Sequence, residues 1–576
     1  MYHLKEISET IRVAMTQKEA PILLKNANVV NVFSGEIIKT NVAIADERIA
    51  GIGDFYEKGK KVIDVAGKYI LPGLIDAHVH LESSMVAPSE FAKAVLSHGT
   101  TTVIIDPHEI ANVSGIAGIE YILKATEDLP LCVFVTASSC VPATDMESAG
   151  AVLSHEELEE LLSKERVVAL AEMMNFPGVF LGVTPVLKKL EAAHNAQKPI
   201  DGHAPGLSGK ELNAYASSGV RSDHECMTEE EALEKLRLGM HIFIREGSAA
   251  KNLDALIGLV NDRNYFMCSF CTDDRHPDDL LSEGHLDQIL RKAVAKGMDP
   301  VRAIQMTTIN TATYFNLKNY GAIAPGYFAN LIVVDDLKEF KTSLLISNGE
   351  IIIENGKFLE DMPLYIEESI MDTMNVKPLT TKDLAIQAKG EKARIIELIP
   401  DQIVTRKTTE SPAVNDGFVV SDTERDILKL AVVERHNETG NIGLGLVRGF
   451  GLKQGAIASS VAHDSHNLIV VGANDDDMLL AANRTIEIGG GFVVVGQGKV
   501  LGEVALPIAG LMSDQSLEEV TEGLTDIHSV SKEIGSVIDN PFMTLAFISL
   551  PVIPELKLTD KGLVDVLQFK IVDLFE

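Results

Sequence analysis

Tryptophan is absent from this 576-residue chain, and cysteine occurs only at positions 132, 140, 226, 268 and 271. Thiols so few and so scattered cannot form the disulfide framework of a small secreted domain. Burial of apolar surface must hold the fold, and a reducing cytoplasm is the expected setting. Basic residues are scarce as well: 51 Lys and Arg stand against 83 Asp and Glu, a formal net charge of −32. Such a field repels phosphate backbones and anionic headgroups. It excludes nucleic acid polymers and membranes as partners and leaves a neutral small molecule free to bind. Long apolar runs are missing too. The opening MYHLKEISETIRVAMTQKEA interleaves charged with apolar residues, which reads as a short amphipathic helix and not as a signal peptide, and no later stretch is long enough to span a bilayer.

What is present describes a globular protein, 46% hydrophobic and 23% charged, too long for one hydrophobic core. Short alternating segments between Pro21 and Asp64, broken by turns at Ser34-Gly35 and Asp46-Glu47, read as a small β unit. The same texture returns in AIAPGYFANLIVVDD and SLLISNGEIIIENGKF, so residues 1–70 and 320–362 are expected to form one discontinuous, sandwich-like β domain. Between them, in 71–319, eight apolar runs alternate with helix-length segments: LIDAHVH, TTVIIDPHE, LCVFVTASS, VVALAEMM, PIDGHAP, VRSDHE, HIFIREG and FMCSFCTDD. That order predicts a (β/α)8 barrel of the TIM type, with its working residues at the C-terminal ends of the strands. Residues 363–576 read as a separate C-terminal α/β domain, with helices near 421–433, 475–485 and 515–533.

The polar residues of the barrel fall where such a site would be. His78 and His80, two apart on one strand, share a face and can reach one metal. Glu172, His203, His224 and Asp273 follow at the ends of later runs. Buried singly, each would be costly, whereas converging on a cation they stabilise one another. Four imidazoles and two carboxylates exceed the needs of one tetrahedral ion. Two divalent ions bridged by a carboxylate and a hydroxide fit better, and a hydrolase is the natural chemistry. Asp106 and His108 close the second run and place an acid and an imidazole on the same barrel face, suited to general acid or proton-shuttle work.

Other motifs carry less. Cys268 and Cys271 spell CxxC inside a strand, where an offset of three sends the two sulfurs to opposite faces, so they are read as core. H-x-E followed by P-C-x-x-C, the signature of the zinc nucleobase deaminases, is absent. The glycine-rich GLGLVRGFGLKQG matches no phosphate loop and is read as tight turns. His463, Asp464 and His466, at the entry to a C-terminal strand, are read as satisfying local hydrogen bonds in preference to a second metal site or a part of the active-site mouth.

PGLIDAHVH, HGTTTVI and TTINTATYFNLKNYGAIAPGYFANLIVVDD together resemble the amidohydrolase superfamily. Within it, HVHLESSM (78–85), IDPHEIANV (105–113), CTDDRHPDD (271–279) and SVAHDSHN (460–467) are similar to the adenine deaminase family from end to end, C-terminal domain included. The resemblance implies hydrolysis of adenine to hypoxanthine and ammonia, a purine-salvage reaction, by a metal-activated hydroxide at a binuclear centre. Manganese is the first choice of metal, with iron or zinc as alternatives. His78, His80, Glu172, His203, His224 and Asp273 then match the metal ligands, with Glu172 as the bridging carboxylate. Asp273 would take a proton from the hydroxide, His108 or Glu172 would serve the departing amine, and Glu82 or Ser83 would contact the purine. Adenine is the expected partner, in a cytoplasmic homo-oligomer. The rivals are an amidohydrolase acting on a cyclic amide, whose metals are commonly bridged by a carboxylated Lys that the fourth strand lacks, or on an N-acetyl sugar, and a non-catalytic scaffold of the same superfamily.

Overall fold

The computed structural model of the chain describes residues 4–400 and 402–576. The eight apolar runs become eight strands: Leu74–His80, Thr100–Ile105, Cys132–Ala137, Val167–Met173, Ile200–Gly202, Ser222–Asp223, His241–Arg245, and an eighth in two pieces, Cys268–Cys271 and Asp273–Asp274. Parallel pairing runs from the first strand to the fifth. A parallel bridge between Ile200 and Val220 carries it to the sixth, and it continues through the seventh to the eighth. Asp273 and Asp274 then pair with Val79 and His80 and close the ring. The polar ends of all eight strands therefore meet at one mouth.

Side chains fill the barrel. Ile75, Ala77, Ile104, Ala169, Phe243 and Cys271 share its inner core, while Val79 and Cys268 belong to the outer layer against the helices. The two thiols of the CxxC thus lie on opposite sides of the sheet, as their odd spacing requires. A register irregularity between Asp76 and Val79 shifts the phase of the first strand. Ala77 packs inward below it, Val79 outward above it, and His78 and His80 turn together toward the mouth.

The small β unit is a nine-stranded sheet drawn from both chain segments. At its seam Tyr69–Pro72 runs antiparallel to Leu331–Val334, and Val29, Ile44, Ile70, Leu331 and Ile346 share one core. The helix Leu4–Ala14 packs Val13 beside Leu23 and Ala43; residues 1–3 of the stretch read as an amphipathic helix lie outside the described residues. In the C-terminal region an eight-stranded sheet carries the helices Asp475–Glu487, Leu517–Glu533 and Pro541–Ile548. The helix expected near 421–433 is instead the strand Leu428–Val433, every residue of which is buried. Layers cover both of its faces, so the alternation that marks a half-exposed strand is missing, and the run of Leu, Lys and Ala looks helical by composition. In the glycine-rich segment, Gly449 and Gly451 adopt φ values of 120° and 79° in a turn held by Asp426, a conformation that favours glycine. Among the described residues no helix is long and apolar enough to cross a membrane.

One buried charge ties two loops of the mouth together. Lys235 is fully buried, and its Nζ lies 2.8 Å from Asp223, 2.8 Å from Glu231 and 2.7 Å from the carbonyl of Ala204. Lys235→Met would strand the Asp223 carboxylate in the core next to His224. We expect a loss of about 3–5 kcal/mol, the usual result of removing one partner of a buried ion pair. Thermal unfolding of the variant checks it, and an unchanged transition would refute it.

Candidate metal centre and active site

All six residues singled out as ligands converge at the mouth, and all but His203 are buried. The Nε2 atoms of His78 and His80 are 3.2 Å apart, and Asp273 Oδ1 lies 3.5 Å from the first and 3.2 Å from the second. Glu172 stands between two groups. Its Oε1 is 3.6 Å from His80 and 3.3 Å from His108, while its Oε2 is 2.6 Å from His203 and 3.2 Å from His224. Potential ligand atoms of His78, His224 and Asp273 lie within 4.8 Å of one another, as do those of Glu172, His203 and His224, and those of His80, Asp106, His108 and Glu172.

The donor set fits a cation in its chemistry. The Nδ1–H of His80 donates to the carbonyl of Asp106 at 2.9 Å, so the lone pair of the neutral ring is on Nε2, directed into the cluster. Asp106 Oδ2 and His108 Nδ1 are buried without a hydrogen-bond partner, which is costly unless something positive or polar comes between them. Burial alone would raise the Glu172 carboxyl, but the imidazoles of His203, His108 and His224 around it hold it well below the carboxylate range. Asp273 is likewise raised by burial and brought well below it by the Arg245 guanidinium and by His78 and His80.

Asp273 departs from its expected setting. Its φ of 59° is in the left-handed region, uncommon for a residue with a side chain, and it breaks the eighth strand at Thr272. Strict alternation, which would turn Asp274 away from the mouth, therefore fails, and Asp274 also stays there. Its Oδ1 accepts the Ser83 hydroxyl, and it groups with His80 and Asp273. With its proton committed to Asp274, Ser83 offers the pocket an acceptor. Glu82 Oε1 accepts the N–H of Ile110 at 3.0 Å while Oε2 has no partner, and burial pushes this carboxyl up to about 7.

Several supporting residues went unrecognised in the sequence. Asp76 joins the first and eighth strands: Oδ2 accepts the Thr272 hydroxyl at 2.6 Å and lies 3.2 Å from His285 Nε2, and Oδ1 accepts two backbone N–H groups. Arg245 bridges Glu225 and Asp273, fixing the latter's second oxygen. An arginine inside the apolar run HIFIREG was the available signal. Glu109, in the first turn of the helix His108–Ala125, meets His463 at 3.0 Å and also His466. Of the two C-terminal histidines read as making local bonds, His466 makes one, to the N–H of Ala462, and both rings also cross to the barrel. No periodicity could show this, because partner and strand entry are more than 350 residues apart. Beside them lies a narrow pocket between the barrel and the C-terminal region, lined by Glu82, Ser83, Met85, Glu109 and His276 of the former and by Val461, His463, His466, Leu511 and Met543 of the latter.

Known proteins match both halves of this arrangement. The Amidohydrolase family model covers residues 69–352, and the Adenine deaminase C-terminal domain model covers 402–570, the part that supplies His463 and His466. Adenine deaminase of Kosmotoga olearia is 50% identical over 573 residues, 99% of each chain. The chain belongs to the adenine deaminase family. Adenine deaminase 2 of Carboxydothermus hydrogenoformans is 51% identical over 571 residues, again 99% of each chain. Among solved structures, the L-hydantoinase of Arthrobacter aurescens aligns over 59% of this chain and 98% of its own, at a TM-score of 0.46 and 14% identity.

Proposed function

We propose that this protein hydrolyses adenine to hypoxanthine and ammonia at a pair of divalent cations. The observation that carries the reading is the position of Glu172, with one carboxylate oxygen toward His80 and the other toward His203 and His224. Two cations sharing a bridging carboxylate would use both oxygens. His78, His80 and Asp273 would hold one cation, and His203 and His224 the other. Manganese is proposed, and histidine with carboxylate also suits iron(II) or zinc. When bound, such a pair lowers the pKa of a water enough to supply hydroxide near neutral pH.

The chain's own groups then do the rest. Asp273, its Oδ2 pinned by Arg245, takes the proton as the purine carbon is attacked. His108, between Glu172 and Glu109, is placed to deliver a proton to the departing amine, with Asp106 orienting it. The free oxygen of Glu82 and the lone pairs of Ser83 are proposed contacts to the ring nitrogens. A neutral planar base also suits a protein of net charge −32.

The test is ammonia release by purified, manganese-loaded protein from adenine, adenosine, cytosine and guanine. Adenine should react and adenosine should be far slower, because the relatives are named for the free base and a ribose would need extra room near N9. Equal rates for the two would overturn the substrate reading, and no ammonia from any of them would overturn the reaction.

A further inference from the structure

The segment 461–467 of the C-terminal domain lies against the barrel, where Glu109 receives both of its histidines. His463, His466 and Glu109 are buried, and a trio of this composition invites a third metal. Hydrogen bonding argues otherwise. His466 Nδ1 accepts the backbone N–H of Ala462 at 3.2 Å, so the proton of the neutral ring is on Nε2, which donates to Glu109 Oε2. This is the reverse of His80, whose Nδ1 donates to a carbonyl and leaves Nε2 free. His466 is a clamp on the carboxylate, not a ligand.

His463 is different. Its Nδ1 donates to Glu109 Oε1 at 3.0 Å, and its ring lies against Phe547 with centroids 4.7 Å apart and planes 23° from parallel. The plane of the imidazole is therefore set, and its Nε2 has no hydrogen-bond partner among the described residues. Burial disfavours a charge on this ring, but the Glu109 carboxylate outweighs it and pushes His463 up to about 9, which leaves Nε2 with a proton to donate. The ring lines the pocket that also holds Glu82, with Met85 on the barrel side and Val461, Leu511 and Met543 on the other. A chain of contacts joins it to the cluster, from Glu172 through His108 at 3.3 Å and Glu109 at 3.4 Å to His463 at 3.0 Å, so the ring is not itself part of the ligand set.

A six-membered purine ring has a nitrogen directly across from the carbon that bears the amino group. With that carbon at the cation site, the opposite nitrogen, N3, points away from the cations and needs a donor from the pocket wall. We propose that His463 Nε2–H donates to N3 of the base, with Glu109 and His466 as positioning residues, so that the C-terminal domain supplies a substrate contact and not merely a wall. This rests on the adenine reading above and adds a specific orientation of the base to it.

The experiment compares product inhibition of adenine deamination by hypoxanthine and by 3-deazahypoxanthine, in which a C–H replaces N3. For the wild-type, manganese-loaded protein the deaza compound should bind about ten- to a hundredfold more weakly, the usual range for a hydrogen bond to a charged group. In His463→Ala the two inhibition constants should come within about threefold of each other, and His463→Gln, which keeps a donor at similar reach, should restore part of the preference. Equal inhibition constants in the wild-type protein would overturn the proposal without any variant. A preference that survives intact in His463→Ala would overturn it too, and in both cases continuing ammonia release from adenine leaves the parent reading standing. Absence of ammonia from adenine in the wild type would remove both.

Discussion

Asp273→Asn should leave the cations largely in place while turnover falls by about a hundredfold to ten-thousandfold, the cost of losing a positioned proton-transfer group. The amide keeps the size of the side chain and one oxygen that can touch a cation, but it cannot take a proton at neutral pH. Arg245 makes the metal measurement essential, because its guanidinium only donates: it can pair with the amide oxygen but not with the amide NH2, and so competes with the cation for that oxygen. Elemental analysis for metal and steady-state rates with adenine check the two halves separately. Asp274→Asn should be milder. It is not expected to be silent, because Asp274 accepts the Ser83 hydroxyl at the mouth. If it were the more damaging of the two, the proton acceptor would be Asp274.

A second large effect is expected at His80, where Asn should remove metal and activity together. Its Nε2 faces His78, Asp273 and Glu172 at 3.2, 3.2 and 3.6 Å, so the ring meets three other members of the cluster. Losing a group that only orients a ligand already costs about tenfold to a hundredfold in metal affinity or activity, and a direct ligand should cost more. The fold should survive, since the strand is held by its parallel pairing to Thr100–Ile105 and Asp273–Asp274. Circular dichroism, metal content and rate, taken together on one preparation, decide it. Full occupancy with normal turnover would take His80 out of the site.

Much of this was legible because the barrel writes its chemistry at regular places. Each ligand candidate ends an apolar run, and closure of eight such runs brings their ends together whatever the loops between them do. Asp274 escaped because alternation presumes extended backbone, and one left-handed residue at Asp273 cancels it. His463 and His466 escaped for another reason. Their partner, Glu109, lies across a domain interface, and a contact of that kind leaves no period in either segment. Leu428–Val433 shows the limit of composition, since a strand covered on both faces loses the pattern that would identify it.

The small sheet sets an order of assembly. The chain leaves it at Pro72 and rejoins it at Leu331, with the whole barrel in between. At roughly 5–20 residues per second of synthesis, the open edge of Tyr69–Pro72 waits on the order of ten seconds or more for its partner to emerge. During that interval its unpaired N–H and C=O groups can template a foreign strand. Barrel closure brings the two ends of the sheet together, so the long excursion need not be closed a second time at its own entropic cost. A substitution that slows barrel closure should therefore surface first as aggregation of nascent chains through that edge, before any defect appears in the chemistry of the finished protein.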